Sequence, residues 1–160
     1  ALSIWKEHDN ENNEIVAIVL NNLGSIWNDS GDHKKAIKYY KKALAIERSI
    51  YGNMHPDVAL VLNNLGKAWY DSGDYQRATW YSKRALNIWK KIYGEKHLDV
   101  AAAMKNLGSA LNALDEPEKA LELMEQAFDI VKSTYGEEDE KAAAMKNDLE
   151  LVRSTLAEKT

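Results

Sequence analysis

Residues recur along this chain at a fixed spacing of 42 positions. The glycines show the spacing most clearly, because all eight fall into three register positions. Two positions are filled in three copies and one in two copies: Gly24, Gly66 and Gly108; Gly52, Gly94 and Gly136; Gly31 and Gly73. In the third copy of the last position Asp115 replaces the glycine. A repeat of this length is typical of a solenoid or a propeller rather than of one compact domain.

Within each unit the apolar residues have the period of a helix. Leu62, Leu65 and Trp69 mark one helical stripe, and Ala78 and Ala85 mark a second. The turn between them, Asp-Ser-Gly-Asp, offers a glycine for a positive φ and an aspartate to cap the next helix. No segment alternates with the period of a strand. The chain is therefore predicted to be all-α, a solenoid of antiparallel helix pairs, with helices at 14–30, 33–51, 56–72, 75–93, 98–114, 117–135 and 140–157.

One glycine of each unit falls in the middle of a predicted helix, where it costs about 1 kcal/mol relative to alanine. These glycines are Gly24, Gly66 and Gly108. A close crossing by the paired helix accounts for them, because a Cβ at this position would push that helix away. The small residues expected on the facing helix are Ala36, Ala78 and Ala120.

Leu65-Gly66, Trp69, Ala78 and Ala85 fall on the small and large hydrophobic positions of the tetratricopeptide repeat (TPR), so the chain resembles that family. The longer unit, with Leu-Asn-Asn-Leu-Gly, Tyr-Gly and His-Pro-Asp-Val, is similar to the repeats of kinesin light chains and nephrocystin-type proteins. The resemblance implies a right-handed superhelix of about three full repeats. The division that it implies is the end of a truncated preceding repeat at 1–10, repeats at 14–52, 56–94 and 98–136, and a capping helix or partial fourth repeat at 140–157.

The first six residues, Ala-Leu-Ser-Ile-Trp-Lys, match residues 85–90 two periods later. Residue 1 is therefore expected to lie in the last turns of a second helix, and the chain to be a piece of a longer array. The apolar residues that would then lack a packing partner are Ala1, Leu2, Ile4 and Trp5. Their position predicts end-to-end self-association of this fragment.

The composition excludes several classes of protein. Lys and Arg number 21 against 25 Asp and Glu, so the net charge is −4, and no basic block predicts nucleic-acid binding. No cysteine is present for a disulfide or a thiolate site. The longest aliphatic run, 15–20, is far shorter than the ~20 residues that span a bilayer. We therefore expect a cytoplasmic protein with neither a nucleic-acid nor a membrane partner.

The sequence predicts no catalytic, cofactor or metal site, and hence no enzyme. His55 with Asp57 and His97 with Asp99 resemble His–Asp dyads, but they occupy the same register position at successive helix starts. Helix-start packing is the favoured interpretation, because equivalent points on stacked helices lie too far apart for two histidines to share a metal. A phosphate-binding loop is not expected either, since the repeat accounts for every glycine.

The resemblance implies that the first helix of each pair lines a concave surface. The predicted groove residues lie opposite the packing stripe of these helices: Asn21, Asn22, Ser25, Asn28, Asn63, Asn64, Lys67, Tyr70, Lys105, Asn106, Ser109 and Asn112. Asparagine is a weak helix former, so its abundance here indicates another role. A ladder of Asn22, Asn64 and Asn106 can pair with the backbone of an extended peptide. Alternatively these amides bond neighbouring helices or the preceding turn, and the two roles can coexist.

Lys67 and Lys105 are expected to lie near each other on adjacent repeats, where they would attract an acidic residue or a C-terminal carboxylate. Asp29 and Asp71 offer the alternative of neutralising them. The favoured function is a protein–protein interaction module, an adaptor or scaffold that binds a peptide segment of a partner, in particular an acidic peptide, in the groove. The alternative is a structural segment that stacks on copies of itself through its ends or outer faces.

Overall fold

The computed structural model describes the backbone of residues 2–159 and the side chains of residues 13–159. This part of the chain contains seven helices and no strand: α1 (Leu2–Asp29), α2 (His33–Tyr51), α3 (Pro56–Asp71), α4 (Tyr75–Tyr93), α5 (Leu98–Ala113), α6 (Pro117–Tyr135) and α7 (Glu140–Glu158). Apart from the start of α1, every boundary lies within one residue of its prediction. The all-α solenoid is confirmed.

The start of α1 corrects the prediction of a helix beginning at residue 14. α1 is continuous from Leu2, so residues 2–10 and 14–29 belong to one helix. The sequence explains why: Asp9-Asn10 and Asn13-Glu14 stand one period before Tyr51-Gly52 and His55-Pro56, so the glycine that stops the second helix and the histidine that caps the next are both missing. The side chains of Ala1, Leu2, Ile4 and Trp5 lie outside the described residues, and their self-association stays a prediction.

Each helix packs against the next one along the chain, as α1 does on α2, α3 on α4 and α5 on α6. The first helices of the pairs also contact one another, α1 with α3 and α3 with α5, and α7 continues this row beside α5. Apolar side chains from every pair join into one continuous core. No helix in the described part of the chain is both long and apolar enough to cross a bilayer.

The mid-helix glycines do mark close helix crossings. A Cβ added to Gly66 would lie 3.2 Å from the backbone nitrogen of Ser82 and 3.4 Å from the carbonyl oxygen of Ala78. The predicted alanines are fully buried at these crossings. The residues four positions after the alanines fill the space that the glycines leave: Tyr40 beside Gly24, Ser82 beside Gly66 and Met124 beside Gly108.

The turns between paired helices carry the predicted signals in two of three copies. Gly73 has a φ of +87°, and Asp74 accepts a hydrogen bond from the backbone N–H of Arg77 at 3.0 Å. In the third copy Asp115 adopts a φ of +66°, and Glu116 caps the following helix without a side-chain hydrogen bond. The third turn keeps its shape because aspartate tolerates the left-handed region better than most residues.

Candidate peptide-binding groove

The row of first helices is joined by hydrogen bonds between asparagines. Asn64 Nδ2 donates to Asn21 Oδ1 at 3.0 Å, linking α3 to α1, and Asn106 Nδ2 donates to Asn63 Oδ1 at 3.0 Å, linking α5 to α3. The two residues of each pair are 43 positions apart in the chain. These amides therefore bond neighbouring helices, which is one of the two roles that the sequence left open.

We call these two hydrogen bonds between helices the asparagine ladder. The third contact of the same series is an ion pair. Lys105 and Asp148 occupy the same two register positions on α5 and α7, and Lys105 Nζ lies 2.9 Å from Asp148 Oδ2. Lys67 is also paired, with its Nζ 2.6 Å from Asp71 Oδ2. Both predicted cations of the groove thus carry an aspartate partner. Of the two neutralising residues proposed from sequence, Asp71 is the one that pairs, and Asp148 was missed although it follows Asn106 by one period.

A second set of polar contacts lies further along the same helices. Asn28 is 7% exposed, and its Nδ2 donates to Asp71 Oδ2 at 2.7 Å while its Oδ1 lies 2.9 Å from His33 Nδ1. Asn112 Nδ2 donates to Thr155 Oγ1 at 3.4 Å. Asn28 is therefore committed to helix packing rather than presented to a ligand.

The C-terminal half of the row encloses a cavity of about 240 Å³ between α3, α5 and α7, called here the C-terminal cavity. It is lined by Lys67, Tyr70, Asp71, Lys105, Asn106, Ser109, Asn112, Asp148, Leu151 and Val152. Six predicted groove residues meet here. Asp71 was named from sequence as a partner for the lysines, whereas Asp148, Leu151 and Val152 of α7 were not predicted, because α7 was interpreted only as a cap or partial repeat. Leu151, which is 65% exposed, gives this cavity an apolar wall open to solvent.

Tyr70 presents a neutral phenol to the C-terminal cavity. Burial, with the neighbouring Tyr75 and Asp71 adding to it, raises the pKa of Tyr70 above its ordinary value. The hydroxyl therefore stays protonated at physiological pH and can both donate and accept a hydrogen bond.

The N-terminal half of the row holds a smaller cavity of about 150 Å³, called here the N-terminal cavity. Its walls come from α1, α2 and α3: Ile18, Asn21, Asn22, Glu47, Asp57, Leu60 and Val61. Asn22 is exposed at this cavity and Asn21 is half-buried. The sequence analysis named these two asparagines but did not find Glu47.

The remaining predicted residues lie outside both cavities. Ser25 is half-buried and its hydroxyl lies 3.1 Å from the Tyr40 hydroxyl, which places it against the second helix of its pair. Asn63 is only 8% exposed, and Asn64 is half-buried in the ladder between the cavities. The structure thus brings the predicted residues to one row of helices but divides them between two cavities and the contacts beneath.

The histidines at the helix starts act as caps. His55 Nδ1 accepts a hydrogen bond from the backbone N–H of Asp57 at 3.3 Å, and the ring stacks on Tyr51 with centroids 3.9 Å apart. His97 repeats the arrangement on Tyr93, with centroids 4.0 Å apart. Helix-start packing, the interpretation favoured from sequence, is what the structure shows. Among residues with described side chains, no group of three His, Asp or Glu is arranged to hold a metal ion.

Solved structures similar to this chain are helical repeat proteins. BtubC (BKLC) from P. vanneervenii matches with a TM-score of 0.80 and 21% identity, over 91% of this chain and 58% of that chain. A kinesin light chain-type protein of Podosopora anserina with nearly identical TPR-like repeats also has a TM-score of 0.80 and 21% identity, over 87% of this chain and 66% of that one. This chain therefore spans less than two thirds of either protein's determined structure.

A third similar structure contains a ligand. The first TPR of Spaghetti (RPAP3), solved bound to the HSP90 peptide SRMEEVD, matches with a TM-score of 0.65 and 19% identity, over 90% of this chain and 98% of that one. Because the sequence identities are only 19–21%, the similarity to these solved structures shows the fold alone. A search among curated protein sequences finds no significant match.

The family model of the tetratricopeptide repeat matches residues 15–79 and 70–133, which is well over half of the chain. Members of this family are non-enzymatic scaffolds for protein interaction. The register of small and large residues, the paired helices and the family match agree, and the chain belongs to the tetratricopeptide-repeat family.

Proposed function

We propose that this protein is an interaction module, an adaptor or scaffold, that holds a peptide segment of a partner protein in the groove formed by the first helices. The observation that carries the proposal is the C-terminal cavity, in which exposed Leu151 and the neutral Tyr70 phenol stand beside Ser109. An apolar wall with a few convergent polar groups is the usual composition of a ligand site. The peptide bound to the Spaghetti repeat supports a peptide as the ligand class.

The asparagine ladder does not prevent this function. An amide offers two donors and an acceptor with two lone pairs. Asn106 uses one Nδ2 hydrogen in its bond to Asn63, which leaves donor and acceptor capacity for the backbone of a peptide. The two roles predicted for these residues therefore coexist in this proposal, with the ladder fixing the orientation of each amide.

The finer proposal is that the peptide is acidic. Because Lys67 and Lys105 already pair with Asp71 and Asp148, a ligand carboxylate has to share each lysine with an aspartate or displace it. Exchange between two such surface pairs changes the binding free energy by about 0–1 kcal/mol. We therefore expect acidic residues to improve affinity by less than about tenfold. The cytoplasmic location stays a prediction.

A steric block of the C-terminal cavity tests the function. Ser109→Arg is expected to lower the affinity of groove-binding peptides at least tenfold, because the longer side chain fills the cavity from α5. The measurement is a peptide-display selection on the wild-type protein, followed by binding assays of the enriched peptides on the variant. Asn64→Ala is a poorer test, since it removes a ladder bond and so changes packing as well.

The matched control is Ser49→Arg, the same exchange at an exposed position of α2 that lines neither cavity. Circular dichroism should show equal helicity in all three proteins. Enriched peptides that bind Ser109→Arg and wild type equally would place the site elsewhere and refute the proposed groove.

A second candidate function, self-association, is favoured by one observation on α1. Ile15, Val19 and Ile26 are 49–62% exposed and lie on one stripe, with Val16 and Ile18 also exposed beside them. We propose as the alternative that a second copy of the chain covers this face. Val19→Asp is then expected to convert a concentration-dependent oligomer, measured by light scattering, into a monomer. A wild-type protein that is monomeric at high concentration would refute the alternative.

A further inference from the structure

Glu47 occupies a register position that is otherwise apolar. One and two periods later the same position holds Trp89 and Val131, both buried in the core. Glu47 is only 4% exposed, yet its Oε2 has no hydrogen-bond partner among the residues with described side chains. Buried carboxylates without a partner are rare because the desolvation of the charge is not compensated. The side chain lines the N-terminal cavity, and its low exposure places it at the base.

The groups that face Glu47 add negative rather than positive charge. Glu14 on α1 and Asp57 on α3 both disfavour its ionisation, and Tyr51, one turn further along α2, is neutral. Burial is the largest cause that raises the pKa of Glu47, to about 7, and the two carboxylates add to it. Among the residues with described side chains, the charges that act on Glu47 are therefore negative, and no cation pairs with its carboxylate.

The nearby basic groups do not supply that cation. Within residues 13–159, no lysine or arginine lines the N-terminal cavity. Arg48, the next residue, lies near Tyr81 and Arg84 of α4, of which Arg84 repels it, and it is not among the charges that act on Glu47. His55 is turned to Asp57, with its Nδ1 3.5 Å from Asp57 Oδ2.

The remaining walls fit an aliphatic chain that ends in a charge. Ile18, Leu60 and Val61 line the cavity with apolar groups, and Asp57, about half exposed, stands at the rim. Apolar walls lower the local dielectric constant, which strengthens an ion pair at the base of the cavity. Lysine and arginine side chains bury their methylenes on such walls while the charged end finds a partner.

We propose that the N-terminal cavity binds a basic side chain, lysine or arginine, of the partner peptide, with Glu47 as the buried counter-charge and Asp57 at the rim. This inference rests on the proposed function, since it names a specificity pocket in the same groove. It predicts a ligand whose basic residue lies on α1 and α3 while other residues occupy the C-terminal cavity. Once the sequence of a bound peptide is known, the position of its basic residue gives the direction in which the peptide runs.

The experiment compares peptides enriched by display on the wild-type protein with copies in which lysine is replaced by norleucine, which keeps most of the chain length and removes the charge. At pH 8 the exchange is expected to weaken binding at least tenfold. The loss should shrink to less than about twofold at pH 5.5, where the carboxyl of Glu47 is protonated and attracts a cation weakly. In Glu47→Gln the difference between the two peptides should shrink to less than about twofold at both pH values, because the exposed Asp57 contributes little by itself.

Glu122→Gln, the same exchange at an exposed position of α6, is the matched control and should bind like wild type. Peptides that lose affinity in Ser109→Arg but not upon the norleucine exchange or in Glu47→Gln would overturn the basic pocket while leaving the proposed function intact. If display enriches no peptide, N-acetyl-lysine methylamide replaces it as the probe, titrated by NMR against the norleucine analogue. Selective shifts of the Leu60 and Val61 methyl groups, absent in Glu47→Gln, would support the pocket although the proposed function had failed, and equal shifts with both compounds would overturn it.

Discussion

Replacement of Gly66 by leucine is expected to unfold or loosen the second helix pair. A Cβ at this position would already overlap the Oγ of Ser82, a fully buried side chain, and approach the Ser82 backbone nitrogen to 3.2 Å. The three further carbons of leucine have no space between α3 and α4 unless the helices separate. Overpacking of a core costs about 1–3 kcal/mol when side chains can adjust, and more when backbone must move. We expect a lower melting temperature and reduced helicity in circular dichroism.

Gly108→Ala is the informative comparison, because a Cβ added at this equivalent helix crossing would contact a flexible side chain. Its Cβ would lie 3.1 Å from the Cγ of Met124, which can shift, and 3.3 Å from the carbonyl oxygen of Ala120. Alanine gains about 1 kcal/mol of helix propensity over glycine. Gly108→Ala should therefore stay within about 1 kcal/mol of wild type. A Gly66→Leu protein as stable and helical as its parent would show that close approach is not what selects glycine.

The local signals for turns and caps explain why most helix boundaries were predictable from sequence. Gly73 and Asp74 end one helix and begin the next through their own backbone and side-chain geometry, which needs no knowledge of the rest of the fold. The same dependence on local residues explains why the start of α1 was mispredicted. Periodicity suggested a boundary near residue 14, but the local residues that would stop a helix are absent there.

The partners of the groove residues were less predictable because they depend on how neighbouring helices are offset. Sequence register suggests that Asn64 faces Asn22, its equivalent one period earlier, yet Asn64 bonds Asn21. The row of first helices is displaced by one residue relative to the repeat, and the same offset places Asp148 on Lys105. A shift of one residue decides whether a lysine is free or paired, so the sign of the charge in the groove could not be derived from spacing alone.

The sequence alone shows that Glu47 departs from an otherwise apolar register position, but its role as a counter-charge depends on the cavity that it lines.

The burial of the Glu47 carboxyl has the second of the two large effects that we expect, a pH dependence of the free energy of unfolding. Its pKa in the folded protein is about 7, against an ordinary value of 4.5. Between these two values the folded protein holds a proton that the unfolded chain releases. The free energy of unfolding therefore falls as the pH rises from 4.5 through 7, and the lost stability is not regained above that range.

Glu47→Gln removes this titration while keeping the shape of the side chain. We expect the variant to be more stable than wild type at pH 8, by about 1–3 kcal/mol, and nearly equal to it at pH 4.5, where the wild-type carboxyl is neutral in the folded protein and half ionised in the unfolded chain. Denaturant unfolding at both pH values measures the difference, and Glu122→Gln, an exposed carboxyl, should show no such pH-dependent gain. A variant less stable than wild type at pH 8 would mean that the ionised Glu47 already has a favourable partner within the chain. In that case Glu47 would not be an unpaired counter-charge for a ligand. Its carboxylate would instead have a role in packing α2 against α1 and α3.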